Sequence, residues 1–101
     1  MSLELGGKNP NIIFSDCDYE NMLHTTVRSS FANQGQICLC GSRIFVERGI
    51  YQRFKVDFVE AVSKLKIGDP ANPKTDIGAL VSDQHLKKVT SYIANAHKYG
   101  G

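Results

Sequence analysis

Hydrophobic residues recur along this chain at two different spacings, which predict short strands alternating with longer helices. The apolar run at 11–14 follows Pro10 and gives way to polar residues, as is typical of a short buried strand. A second run, at 43–47, lies between Gly41 and Gly49 and predicts another strand of the same kind.

Three further segments carry apolar side chains three or four residues apart, the spacing of one face of an α-helix. The first begins at Tyr19, where Asp18 can act as N-cap, and is predicted to end near Gly35. The second covers 50–65, and the third begins after Ser82. The apolar face of this third helix comprises Leu86, Val89, Ile93 and Ala96.

The resulting order, β-α-β-α-α, indicates an α/β fold. A strand, helix and strand in succession normally form a parallel pair with a right-handed crossover. The segment 67–81 is rich in glycine and proline and is predicted to be a surface loop. Two strands leave two sheet edges, so we expect a slice of an open parallel sheet that pairs with other copies of itself.

Composition and charge narrow the class of partner. The 101 residues fit one small domain, and a net charge of +2 is too small to indicate nucleic-acid or membrane-surface binding. No apolar run approaches the roughly 20 residues that cross a bilayer. The three cysteines cannot all pair within one chain, and no apolar signal segment precedes them, so we expect a reducing, cytoplasmic location and a small-molecule partner.

Cys38 is the best candidate for a nucleophile. It lies between the first predicted helix and the second strand, where loops often present catalytic groups. A free thiol has a pKa of about 8.5, so an active cysteine needs nearby donors, which the backbone of 35–39 could supply. On residue type alone, a buried and unreactive cysteine is the commoner state.

Glu4 is the second candidate, because it stands between leucines and is followed by Gly6 and Gly7. Partial burial raises the pKa of a carboxyl group and lets it accept a proton from water, whereas a solvated terminal glutamate would have no such role. The spacing of Cys38 and Cys40 is not that of a zinc site, so no metal is expected, although a redox-active thiol pair stays open.

The segments 3–8 and 35–38, read as Leu-Glu-Leu-Gly-Gly-Lys and Gly-Gln-Ile-Cys, resemble the glutamate and cysteine signature motifs of the aldehyde dehydrogenase family. Their order and separation also agree with that family, and the similarity covers residues 1–101. The resemblance implies a partial catalytic domain, with the chain as a β-α-β-α-α slice of its open parallel sheet. A homo-oligomer is expected from the two open edges of this slice.

This resemblance implies roles for four residues. Cys38 would attack an aldehyde carbonyl and carry a thioester after hydride transfer to NAD, with NADP as the alternative. Glu4 would activate the water that hydrolyses the thioester, and the Leu5–Gly6 backbone would lie near the nicotinamide.

The stretch 27–40 most resembles members that act on 2-aminomuconic or 2-hydroxymuconic semialdehydes, followed by betaine aldehyde dehydrogenases. A semialdehyde substrate is therefore expected. The family's dinucleotide-binding segment has no counterpart in this chain, so we expect the isolated chain to be inactive. The alternative is a non-catalytic interaction module that uses the exposed sheet edges.

Overall fold

The computed structural model describes residues 1–2 and 6–100 and confirms the predicted order of elements. Boundaries differ from the predictions by one to a few residues, as is usual for helix and strand ends. The elements are β1 (Pro10–Ile13), α1 (Tyr19–Phe31), a 3-10 turn (Ala32–Gly35), β2 (Arg43–Val46), α2 (Tyr51–Ser63) and α3 (Asp83–Lys98).

The two strands pair in parallel, as their order along the chain predicts. Pro10 lies opposite Arg43, and Ile13 lies opposite Val46. The Arg43 N–H also donates to the Asn9 carbonyl oxygen at 3.1 Å, one residue before β1 begins. The residues that lead into the two strands are therefore neighbours at the amino end of the sheet.

Helix α1 covers one face of this sheet. The Asp18 side chain caps the helix by accepting from the Asn21 N–H at 3.4 Å, and Thr26 is buried on the helix side that faces the strands. Asn11 of β1 donates its side-chain amide to the Thr26 hydroxyl oxygen at 3.2 Å. The cap thus stabilises α1 at its first turn, and the hydrogen bond between Asn11 and Thr26 holds the helix against the sheet.

The core is small and lies between the sheet, α1 and α2. Among the described residues, its buried apolar side chains are Ile13, Val27, Cys40 and Phe54. The Phe54 ring stacks on Phe58 with centroids 5.1 Å apart, and Phe58 lies 6.1 Å from the ring of Phe31. The contact between Phe31 and Phe58 joins the two helices, and Phe54 supports the Phe58 ring from within α2.

A polar cluster, here called the Tyr19 clasp (Tyr19, Glu20, Arg53 and Asp57), also ties α1 to α2. The Tyr19 hydroxyl donates to Asp57 Oδ2 at 2.7 Å, and the Arg53 guanidinium lies 3.8 Å from the centre of the Tyr19 ring. Arg53 also pairs with Asp57 at 3.5 Å and with Glu20 at 3.8 Å. Burial, and then the hydrogen bond to Asp57, raises the pKa of Tyr19 to about 12.

The other face of the sheet is uncovered. Ile12 and Phe45 lie opposite each other in the pairing register and are 61% and 53% exposed, and Phe14 beyond the end of β1 is 62% exposed. Because neighbouring residues of a strand point to opposite faces, these side chains point away from α1. Pairing with other copies at the two sheet edges stays a prediction.

The last third of the chain is a surface loop followed by α3. In the predicted loop 67–81, one bridge pairs Ile67 with Ile77. Ser82 caps α3, as predicted, by accepting from the His85 N–H at 3.1 Å, yet no residue between 83 and 98 is buried. Across residues 1–2 and 6–100, no helix combines the length and hydrophobicity that crossing a membrane requires.

Candidate active site

Cys38 is exposed in a loop, residues 36–42, that leads from the 3-10 turn into β2 and is called the cysteine loop below. The Cys40 N–H donates to the Ile37 carbonyl oxygen at 3.0 Å and closes a β-turn with Cys38 and Leu39 at its centre. Cys38 is therefore not buried, whereas Cys40 is only 5% exposed. The role of Cys38 as a nucleophile stays a prediction.

The chain reverses sharply just before this loop. The first helix was predicted to continue to near Gly35, but it ends at Phe31, and three left-handed residues follow soon after: Asn33, Gln34 and Gly35, with φ of 50°, 57° and 72°. Glycine adopts this conformation freely, whereas side-chain-bearing residues pay about 1 kcal/mol or more each. Strained backbone of this kind needs external support, and the Gln34 side-chain amide donates to the Ala79 carbonyl oxygen at 3.4 Å.

Helix α1 fixes the far end of the cysteine loop at Gly41. The Gly41 N–H donates to the Ser29 hydroxyl oxygen at 3.1 Å and to the Ser29 carbonyl oxygen at 3.3 Å. The Ser30 hydroxyl donates to the Gly41 carbonyl oxygen at 3.1 Å. A Cβ added at Gly41 would lie 2.9 Å from Ser29 Oγ and 3.2 Å from Asn11 Cβ. Only glycine therefore fits between the helix and the strand.

Asn9 joins the loop to the segment that precedes β1. Its side-chain amide donates to the Cys38 carbonyl oxygen at 2.6 Å and to the Cys40 carbonyl oxygen at 3.3 Å. Next to it, Arg43 Nε donates to the Lys8 carbonyl oxygen at 2.9 Å. Asn9, which directly follows the glutamate motif, thus contacts the loop that carries Cys38, and Lys8, the last residue of that motif, contacts the first residue of β2.

These contacts place the site at the amino ends of the two parallel strands. In open α/β sheets, ligands more often bind beyond the carboxyl ends. Here the carboxyl end has a structural contact of its own, because the Ser15 N–H donates to Glu47 Oε2 at 2.6 Å. That hydrogen bond lowers the pKa of the Glu47 carboxyl.

The remaining predicted site residues are Glu4, Leu5 and Gly6. Glu4 and Leu5 lie outside the described residues. Gly6 is exposed, and a Cβ added there would meet no atom within 4 Å. Among the described residues, none hinders close approach to the Gly6 backbone. The predicted contact with nicotinamide stays a prediction.

Two cavities flank α1, and Cys38 lines neither of them. The larger, of about 890 Å³, lies between α1 and α2. The smaller, of about 330 Å³, lies beside Ile37, Leu39 and Cys40, and Arg28 lines both. Within the described part of the chain, no three histidine, cysteine or acidic side chains are grouped closely enough to hold a metal ion.

Sequence reasoning missed the part that Asn9 plays. The sequence analysis gave this asparagine no role. A signal was nevertheless present. In a parallel pair, the residue before the first strand lies near the residues before the second, and an asparagine there has two N–H donors to offer their carbonyl groups.

Comparisons with known proteins show the family to which this chain belongs. The model of the aldehyde dehydrogenase family matches residues 1–101, and the chain belongs to that family. It is 60% identical over 96 residues to the 2-aminomuconic semialdehyde dehydrogenase of Danio rerio, which covers 95% of this chain and 20% of that protein. It is 46% identical over 100 residues to a 2-aminomuconic 6-semialdehyde dehydrogenase from Pseudomonas, again 20% of that protein's length.

Solved structures of aldehyde dehydrogenases also superpose on this chain. A betaine aldehyde dehydrogenase from Staphylococcus aureus in complex with NAD+ superposes with a TM-score of 0.90 and is 38% identical, over 96% of this chain and 19% of that one. An indole-3-acetaldehyde dehydrogenase in complex with NAD+ superposes with a TM-score of 0.88 at 43% identity. The α/β slice expected from the sequence is confirmed. The chain spans about a fifth of the length of the relatives it matches.

Proposed function

We propose that this chain carries the catalytic centre of an NAD-dependent aldehyde dehydrogenase, with Cys38 as the nucleophile and Glu4 as the base. The main support is the contact between Asn9 and Cys38, at 2.6 Å, which brings the segment after the glutamate motif against the cysteine loop. The exposed position of Cys38 at the centre of a β-turn agrees with attack on an external carbonyl.

The proposed reaction uses the two side chains in turn. Cys38 Sγ, as a thiolate, forms a bond to the aldehyde carbonyl carbon, and loss of hydride from that carbon leaves an acyl group on the sulfur as a thioester. Glu4 then takes a proton from water, the water oxygen attacks the thioester carbonyl, and the Cys38 thiolate leaves as the carboxylic acid is released. NAD, when bound near Leu5 and Gly6, supplies the hydride acceptor.

The proposed substrate is a semialdehyde, by analogy with the Danio rerio and Pseudomonas relatives and what their names say they act on. Cys38 lines neither cavity beside α1, so the walls of the aldehyde pocket belong to parts of the enzyme outside this chain. For the same reason we propose that the isolated chain does not turn over. Cytoplasmic location and homo-oligomeric assembly complete the proposal.

A chimera tests this proposal. Residues 1–101 replace the matching segment of the Danio rerio relative, and aldehyde-dependent NADH formation is followed with 2-aminomuconic semialdehyde. The Cys38→Ser chimera should lose activity by about a thousandfold or more, because the nucleophile is gone. Cys17→Ser, at a partly exposed cysteine outside the cysteine loop, is the matched control and should retain it. Full activity of Cys38→Ser would refute the assigned nucleophile.

The assigned base is tested in the same chimera. Glu4→Gln should form the first equivalent of NADH in a burst and then turn over slowly, since acylation precedes the step that needs the base. Steady-state rates equal to those of the parent chimera would refute the role of Glu4.

The interaction-module alternative has one observation in its favour, the uncovered sheet face with exposed Ile12, Phe14 and Phe45. It predicts that the chain supports binding without chemistry. An inactive chimera that still folds and binds NAD would favour this alternative over the enzyme proposal.

A further inference from the structure

We infer that Asn9 is a positioning residue for Cys38, which it orients through the main chain of the cysteine loop. This inference rests on the proposed role of Cys38 as nucleophile and extends it to a residue of the neighbouring segment. Asn9 acts on the cysteine loop through its side-chain amide. Its two hydrogen bonds go to the carbonyl oxygens of Cys38 and Cys40, on either side of Leu39.

An asparagine amide suits this position because it has two N–H donors in one plane and can satisfy two carbonyl groups at once. The Asn9 bond to the Cys38 carbonyl fixes the orientation of the peptide unit between Cys38 and Leu39. Together with the turn bond from the Cys40 N–H to the Ile37 carbonyl, at 3.0 Å, it defines the backbone from which the Cys38 side chain projects.

The main chain of Asn9 is held in place by the sheet. Asn9 accepts the Arg43 N–H through its own carbonyl at 3.1 Å, and Pro10 begins β1 directly after it. The side chain therefore transmits the position of the sheet to the loop. A misplacement of reacting atoms by about 1 Å can cost roughly a hundredfold in rate. Asn9 can therefore affect the reactivity of Cys38 by holding the main chain of the cysteine loop in place.

Asn11 offers a matched control two residues further on. Its amide donates to the Thr26 hydroxyl oxygen at 3.2 Å, and a hydroxyl group can either accept or donate. Asn11→Asp can therefore keep a hydrogen bond by reversing its direction. Asn9→Asp cannot, because both partners are carbonyl oxygens without a proton, and its carboxylate would face them at the distances the amide now occupies.

The test uses the intact chain and a reaction that needs no cofactor. The Cys38 thiolate attacks the carbonyl carbon of p-nitrophenyl acetate, p-nitrophenolate leaves, and an acetyl group remains on the sulfur. The rate of p-nitrophenolate release is recorded across pH 6 to 10, and peptide mass mapping assigns the acetyl group to Cys17, Cys38 or Cys40.

We expect wild-type Cys38 to react faster than the same residue in the urea-unfolded chain. Asn9→Asp and the uncharged Asn9→Leu should both lower the high-pH plateau by about tenfold or more, whereas Asn11→Asp should stay within about twofold of wild type. A shift of the pH midpoint in Asn9→Asp alone, with the plateau unchanged, would indicate a charge effect and overturn positioning.

Three other outcomes would also overturn the inference. They are equal rates for the Asn9 and Asn11 variants, a wild-type Cys38 no faster than in the unfolded chain, and acetylation of the buried Cys40 in the Asn9 variants, which would indicate general loosening of the fold. These results are independent of the Cys38→Ser chimera. Loss of Cys38 function there removes the proposed enzyme role, whereas unchanged plateaus here remove only the role of Asn9.

Discussion

The part of the chain around the cysteine loop and the part formed by α3 contain the same local signals but differ in packing. Helices α1 and α3 both have a side-chain N-cap, Asp18 and Ser82 respectively. Yet α1 buries Thr26 and Val27, whereas no residue of α3 is buried. Capping and periodicity are therefore enough to specify a helix and its apolar face, but they do not specify what covers that face.

The difference also separates two kinds of stabilising contact. The first region has interhelical contacts, such as the ring contact of Phe31 with Phe58 and the hydrogen bond from Tyr19 to Asp57. In α3, the ion pair between Lys87 and Asp83, at 2.6 Å, connects residues of the same helix. A pair of this kind contributes only about 0.3–0.5 kcal/mol. Because it lies within α3, it does not tie this helix to the rest of the described chain.

The largest predicted contrast is between Phe54 and Tyr92. Phe54→Ala removes a ring that is 5% exposed and should lower the free energy of unfolding by about 3–5 kcal/mol. Tyr92→Ala on α3 removes a side chain that is 67% exposed and should change it by less than about 0.5 kcal/mol. Urea denaturation measures both, and equal losses would mean that α3 packs in solution.

Gly41 and Gly49 give a smaller contrast within the first region. Gly41→Ala forces a Cβ to 2.9 Å from Ser29 Oγ and should destabilise the chain by about 1–3 kcal/mol. Gly49→Ala meets no atom within 4 Å and should be close to neutral. Thermal unfolding provides the comparison, and a neutral Gly41→Ala would show that the loop can leave α1 without cost.

The smallest predicted effect comes from the Tyr19 clasp. The pKa of Tyr19 is raised to about 12, so the folded state favours the neutral phenol. The contribution of Tyr19 to the free energy of unfolding is therefore complete below about pH 10 and is lost between about pH 10 and 12. Tyr19→Phe should cost about 1 kcal/mol at neutral pH and abolish this high-pH loss. Stability curves of both proteins from pH 8 to 12 would check this, and parallel curves would contradict it.

Much of the fold could be predicted from the sequence because short-range rules decide it. The order of elements, the parallel pairing and the caps Asp18 and Ser82 all follow from local composition and are confirmed. The end of α1 could not be predicted in the same way. The left-handed conformations of Asn33 and Gln34 are unfavourable locally and persist through contacts such as that of Gln34 with Ala79.

The candidate site was predictable in its residue types but not in its geometry. Cys38 was singled out by its place in a loop, and its motif resembled a known family. That the loop meets the segment after Glu4 at the amino end of the sheet, through Asn9, depends on the pairing register. A register is a property of two segments together, so no single motif contains it.

The most direct test of the account is to trap the acyl group. The Glu4→Gln chimera is mixed with NAD and the aldehyde, quenched in acid and digested. The masses of the cysteine-containing peptides are then measured by mass spectrometry. We predict an acyl adduct on Cys38 that accumulates to about one equivalent, with Cys17 and Cys40 unmodified. Continued NADH formation with no adduct, or an adduct on another cysteine, would contradict the assignment of Cys38 as the nucleophile.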